Sequence, residues 1–119
     1  MEIQTPYKDE VIISWTELQR DAKFISQALL SKGPWKGIIV ITKGGLIPAA
    51  LIARELDIKL IDTVCISSYE GKSDGIGQVQ RELNVIKMIE GDGDGFLLID
   101  DLVDTGKTAR FIREKLPKA

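Results

Sequence analysis

The sequence predicts an α/β domain of three layers, a mainly parallel sheet flanked by helices. Three observations predict it. The runs GIIVIT at 37–42 and FLLID at 96–100 are continuously apolar or nearly so, which suits strands buried on both faces of a parallel sheet. Segments with helical spacing alternate with such runs along the chain. The 119 residues, 44% hydrophobic and 29% charged, suit one globular domain over 1–119, with no linker or internal repeat to divide it.

In chain order, VIIS at 11–14 reads as a short strand. Ser14 and Glu17 then form S-x-x-E, a capping box at a helix start. Trp15, Leu18, Ala22, Ile25 and Leu29 recur at three- and four-residue spacing and define one buried stripe. Gly33-Pro34 ends that helix. The strand 37–42 follows, then the loop Lys43-Gly44-Gly45 and a short apolar helix, LIPAALIAREL, ending near Asp57. Residues 58–66 read as the next strand. Residues 67–81 hold three glycines and few large apolar groups, so they read as a long mobile loop of functional interest. ELNVIKMI at 82–89 alternates like a strand, 90–95 is a glycine-rich turn, and FLLID is the last strand. A helix from about Lys107 to Leu116 closes the pattern.

Composition narrows the chemistry. The chain has no histidine, which excludes a Ser-His-Asp triad or a histidine-bound zinc. Its single cysteine, Cys65, cannot close an internal disulfide and suits a reducing cytoplasm as a small core residue. A net charge of −2 argues against a chain-wide grip on nucleic acid. The longest apolar stretch, between Lys43 and Arg54, has ten residues, far short of the about 20 needed to cross a bilayer. The polar start MEIQTPYKDE is not a signal peptide. Peripheral membrane association is not readable in these residues. Trp15 and Trp35 read as packing groups, in the fold or at a subunit interface.

The chemistry concentrates in LLIDDLVDTGKTA at 97–109. A buried strand delivers Asp100 and Asp101 to its carboxyl end, where ligands bind in open α/β sheets. Asp104, Thr105, Gly106, Lys107 and Thr108 then form a small polar loop at a helix N-terminus, a natural phosphate site. Adjacent acids suit vicinal ribose hydroxyls or a magnesium ion held partly through water. Two acids before a helix, taken alone, would simply cap it. A triphosphate-binding G-x-x-x-x-G-K-T loop is excluded, because Asp101 stands where its first glycine must be.

At these residues the chain resembles the type I phosphoribosyltransferases, whose signature is a hydrophobic strand, an acidic pair and a D-T-G-x-T loop. WKGIIVITKGGLIPAALIARELDI, DTVCISSY, QREL and EGDGDGFLLIDDLVDTGKTA extend the resemblance, in order and spacing, to the bacterial purine-salvage members. It implies the type I phosphoribosyltransferase fold, cut short at its C-terminus. Relatives continue past Pro117-Lys118-Ala119 with another core strand and a hood that clamps the purine.

The resemblance also implies an activity, a Mg2+-dependent pentosyl transfer. Phosphoribose would pass from phosphoribosyl pyrophosphate to xanthine or guanine, with hypoxanthine a third candidate, giving the nucleoside monophosphate and pyrophosphate. Asp100 and Asp101 would bind the ribose hydroxyls and the metal. Asp104, Thr105, Gly106, Lys107 and Thr108 would hold the 5′-phosphate, with Asp104 also the catalytic proton acceptor at the purine. Lys43, Gly44 and Gly45 would bind pyrophosphate, with Lys43–Gly44 the place for the family's non-proline cis peptide. Tyr69 would begin a catalytic lid and Arg81 would contact pyrophosphate. A cytoplasmic homo-oligomer, dimer or tetramer, is implied, with no nucleic acid partner. Lys107 departs from a glycine common in the bacterial relatives, and 70–80 is longer than in them. The alternative is a non-catalytic regulator on the same fold that binds nucleotide or phosphoribosyl pyrophosphate.

Overall fold

The computed structural model describes residues 11–73, 79–103 and 105–119, with the backbone alone for 69–73 and 79–81. Its elements are α1 (Trp15–Leu30), β1 (Gly37–Thr42), α2 (Leu46–Leu56), β2 (Ile61–Ser73), β3 (Val79–Lys87), β4 (Phe96–Ile99) and α3 (Lys107–Lys115).

Ser14 caps the start of α1. The Ser14 hydroxyl accepts the Glu17 N–H at 3.1 Å and donates to Glu17 Oε1 at 3.2 Å. The strand expected at 11–14 is absent. Those residues form no strand with any of the described residues, and Val11, Ile12 and Ile13 are 80%, 59% and 59% exposed. β-Branched side chains fit a strand only where a neighbouring ladder receives them.

The buried stripe of α1 is also rotated from its expected place. Ala22 and Ser26 are buried, Leu18 and Leu29 half-buried, while Trp15 and Ile25 face solvent. The small side chains of Ala22 and Ser26 let α1 lie close against α2, whose inner face is Ala49, Ile52 and Ala53. Trp35 instead packs at the far end, its Nε1–H donating to Leu29 O at 3.0 Å. The Gly33–Pro34 bond after the helix is cis.

The four strands form one sheet in the order β3-β2-β1-β4. β1 is central and pairs in parallel with β2 on one side and β4 on the other. β3 pairs antiparallel with β2. α1 and α2 cover one face with Ile38, Val40 and Ile99, and α3 covers the other with Ile39, Ile41, Val64, Ile112 and Leu116. Alternate residues of β1 therefore enter two cores. This explains the unbroken apolar run at 37–42, each of whose isoleucines contributes about 1.5–3 kcal/mol when fully buried. Cys65 is half-buried on β2, partway to the core position expected for it.

The long loop expected at 67–81 is mostly a ribbon. β2 runs on to Ser73 and β3 begins at Val79, with register irregularities between Cys65 and Ile66 and between Glu70 and Ser73. A two-stranded ribbon satisfies its backbone hydrogen bonds along one edge of each strand without burying a hydrophobic face. Polar, glycine-containing sequence can therefore form it, and composition misread it as a loop. β2 remains paired with β1 only as far as Cys65↔Thr42, so the ribbon extends past the carboxyl ends of the parallel strands. Among the described residues, no helix is long and apolar enough to cross a membrane.

Candidate active site

The chain leaves β1 toward α2 and β2 on one side, and returns through β4 on the other. The strand order reverses between β1 and β4, so a crevice opens at their carboxyl ends. Two loops meet there, Lys43-Gly44-Gly45 after β1 and Asp100-Asp101 after β4.

Their contact is close enough to require glycine. A Cβ on Gly44 would collide with the Asp101 carboxylate. One on Gly45 would lie 2.6 Å from Ile99 O and 2.9 Å from Ile41 O. Gly45 N–H donates to Ile41 O at 2.9 Å, and Gly45 O receives Ala49 N–H at 3.0 Å, which anchors the loop to strand and helix. Lys43 is exposed beside them. The non-proline cis bond is Thr42–Lys43, one residue before the expected Lys43–Gly44.

Each acid of the pair braces the backbone of the next residue. Asp100 Oδ1 accepts Asp101 N–H at 2.8 Å, and Asp101 Oδ1 accepts Leu102 N–H at 2.8 Å. Burial pushes the Asp100 carboxyl above the usual carboxylate range, and the neighbouring Asp101 carboxylate adds to the rise. Asp100 lines one cleft and Asp101 a neighbouring one, and carboxylates are hard donors that suit hydroxyls or a small divalent cation.

Beyond them, Asp104 lies outside the described residues. Thr105 is exposed, and its Oγ1 accepts Lys107 N–H at 3.3 Å. Gly106 caps α3 with φ +79°, a left-handed conformation that glycine adopts without strain. Gly106, the N-cap residue, has no side chain to offer the first turn, and Thr108 lines a cleft of about 150 Å³. Asp100, Thr105, Gly106, Lys107 and Thr108 line that cleft with Leu102 and Val103.

Tyr69 and Arg81 belong to the ribbon, where backbone pairing sets Tyr69 opposite Glu82 and Arg81 opposite Glu70. They belong to successive rungs of one ladder, on strands rather than in a loop.

Sequence reasoning gave no role to Leu102 and Val103, which are 75% and 61% exposed directly after the acidic pair. Large apolar groups inside an acidic loop were the available signal. It also missed a second, apolar cleft of about 560 Å³ on the other side of Asp101. Gly44, Leu102, Ile47, Pro48, Val11 and Trp15 are among its walls.

The chain matches the phosphoribosyl transferase domain family over residues 14–116. It is 54% identical over 113 residues to a xanthine-guanine phosphoribosyltransferase of Nitratidesulfovibrio vulgaris (strain DP4). That match covers 95% of this chain and 66% of the relative, so the chain spans just under two thirds of its relative's length. A purine phosphoribosyltransferase from Pyrococcus horikoshii superposes with a TM-score of 0.74 at 27% identity, over 93% of this chain and 70% of that one. A hypothetical protein from Neisseria gonorrhoeae with bound ppGpp gives 0.73 at 26% identity, over 89% of this chain and 62% of that one.

Proposed function

The chain belongs to the phosphoribosyl transferase domain family, and from that premise we propose that it transfers phosphoribose from phosphoribosyl pyrophosphate to xanthine or guanine. One observation carries the reading. The Gly44–Gly45 turn and the Asp100–Asp101 pair meet at the switch point between β1 and β4, and the start of α3, with glycine at its N-cap, lies a few residues further along the chain. Such a crevice offers carboxylates to sugar hydroxyls and backbone dipoles to two separate phosphate groups.

The donor set fits magnesium. Asp100 and Asp101 provide two carboxylates, and Mg2+ commonly takes one or two from protein, completing its shell with water and substrate phosphates. Bound there, it would neutralise charge growing on the departing pyrophosphate.

The chain's own residues do the rest. Lys43, Gly44 and Gly45 orient the pyrophosphate. Thr105, Gly106, Lys107 and Thr108 hold the 5′-phosphate, and Asp100 with Asp101 fixes the ribose between them. Bond breaking at the anomeric carbon gives an oxocarbenium-like sugar, so positioning and charge stabilisation suffice without a covalent nucleophile. Asp104 accepts the proton released by the purine. Tyr69 and Arg81, on the ribbon, close over the sugar diphosphate and exclude the water that would hydrolyse it. The protein works in the cytoplasm as a homo-oligomer.

A spectrophotometric assay with guanine, xanthine and hypoxanthine, each with phosphoribosyl pyrophosphate and Mg2+, tests this. Turnover of a 6-oxopurine is the expected result. The neighbour with bound ppGpp favours one second reading, a nucleotide-binding regulator on this fold. Tight binding of nucleotide or sugar diphosphate with no turnover of any purine would select it.

A further inference from the structure

β2 changes partners at a single line across the sheet. Up to Cys65 it lies between β1 and β3, and its last rung with β1 is Thr42↔Cys65. Beyond that line it pairs with β3 alone. The β2–β3 ladder slips at the same place. Cys65 faces Lys87 and Ile66 faces Val85, which leaves Ile86 as an extra residue on β3. Such a bulge bends and twists its strand, so it sets the angle at which the ribbon leaves the sheet. Hydrophobic burial does little to fix it, because Val85 and Ile86 are both exposed.

Polar contacts gather at this line instead. Lys87 Nζ donates to Asp62 Oδ1 at 2.8 Å, to Thr63 O at 2.7 Å and to Thr63 Oγ1 at 3.1 Å. An ammonium has three donors, and all are used. Asp62 Oδ1 also accepts Thr63 N–H at 2.8 Å, which holds the carboxylate in place. The Lys87 hydrogen bond, helped by Thr63 N–H, keeps the Asp62 carboxyl below the usual carboxylate range, so the pair is ionised at neutral pH. On the other side of β2, Thr42 Oγ1 donates to Val64 O at 3.3 Å. β2 is thus pinned from both neighbours just before the ribbon begins. The Lys87 and Asp62 side chains are 49% and 48% exposed, so their pairing adds little to global stability. What it fixes is the register on which the bulge rests.

We propose that Lys87 is a positioning residue for the reaction: its clamp on Asp62 and Thr63 sets the angle at which the strands carrying Tyr69 and Arg81 leave the sheet beside the crevice. This rests on the phosphoribosyltransferase reading and adds to it a side chain that acts only through the ribbon. Without the clamp the ribbon samples a wider range of angles, and a sugar diphosphate must order it on binding.

Amide hydrogen exchange of the full chain, with titration calorimetry, tests the assignment. Lys87→Met keeps the apolar stem and removes the donors. Ribbon amides at 66–68 and 82–85 are expected to exchange roughly three- to tenfold faster, while those of β1 stay unchanged. Affinity for phosphoribosyl pyrophosphate with Mg2+ falls by roughly the same factor, and that for ribose 5-phosphate holds. Lys87→Arg restores both, since a guanidinium reaches the same acceptors. Unchanged ribbon exchange, equal acceleration in β1, equal losses for the two ligands, or no restoration by arginine overturns the assignment and spares the enzyme reading. Failure of the unsubstituted, folded chain to bind the sugar diphosphate overturns the enzyme reading, while the exchange comparison still decides the clamp.

Discussion

Gly44 and Asp101, 57 positions apart in sequence, touch so closely that the α-carbon of one leaves no room for a side chain beside the carboxylate of the other. That contact welds the turn after β1 to the acidic pair after β4. Gly44→Ala must displace one of the two. It is expected to lower affinity for phosphoribosyl pyrophosphate by at least about tenfold, since a misplacement of about 1 Å can cost far more in rate. Calorimetry reads the binding, and an unchanged affinity would show that the contact does not shape the site.

Asp100 links the site to stability. Its folded carboxyl is raised above the ordinary value of 3.8, chiefly by burial. The native state therefore holds this proton more tightly than the unfolded chain. The stabilisation is complete below the unfolded value and fades as pH rises through the folded one. Asp100→Asn removes the burden of an ionised, desolvated acid while its Oδ1 still accepts the Asp101 N–H. Melting at pH 7 should shift upward, by less than about 1 kcal/mol after allowing for solvent screening. At pH 3 the variant and the parent should coincide. Magnesium-dependent binding of the sugar diphosphate should be lost at the same time.

Asp104→Asn tests the proton acceptor. Removing general base assistance should lower kcat by about 10²–10⁴-fold, with binding of phosphoribosyl pyrophosphate largely retained. A normal kcat would remove Asp104 from the chemistry.

Ser14→Ala addresses the fold apart from the site. The hydroxyl accepts the Glu17 N–H at the start of α1 and donates to the Glu17 carboxylate. Its loss should destabilise the chain by about 1 kcal/mol in urea titration, without changing ligand affinity. If the variant is as stable as the parent, α1 is held by packing on α2 and the cap contributes nothing.

Ile112→Ala reaches the second core. Ile112 is fully buried, on the helix that covers the β1 face opposite α2. A loss of about 2–5 kcal/mol is expected by the same titration, with ligand binding recovered wherever the fold persists. A much smaller loss would mean that α3 collapses readily into the gap.

The sequence made the parallel core legible because β1 is buried on both faces and says so in six consecutive residues. The candidate site at 100–108 stood out equally well in the sequence, since its acids, small residues and helix pattern are contiguous. What failed were features decided by a distant partner. Val11 to Ser14 have strand-like side chains but no neighbouring ladder. Trp15 and Ile25 fit the helical period, yet small Ala22 and Ser26 won the interior because α2 approaches closely. Residues 67–73 and 79–81 look like loop by composition and pair as strands, because only backbone is needed for a ribbon.

The central position of β1 has a consequence for how the protein opens. Both crevice loops hang from strands of the β1–β4 ladder, so neither can separate from the other without breaking that ladder. Amide hydrogen exchange at Ile39, Ile41 and Ile99 should accordingly report opening of the whole domain rather than of one loop. A ligand bridging Gly44 and Asp101 would slow exchange across the entire sheet, although it touches only the sheet's edge.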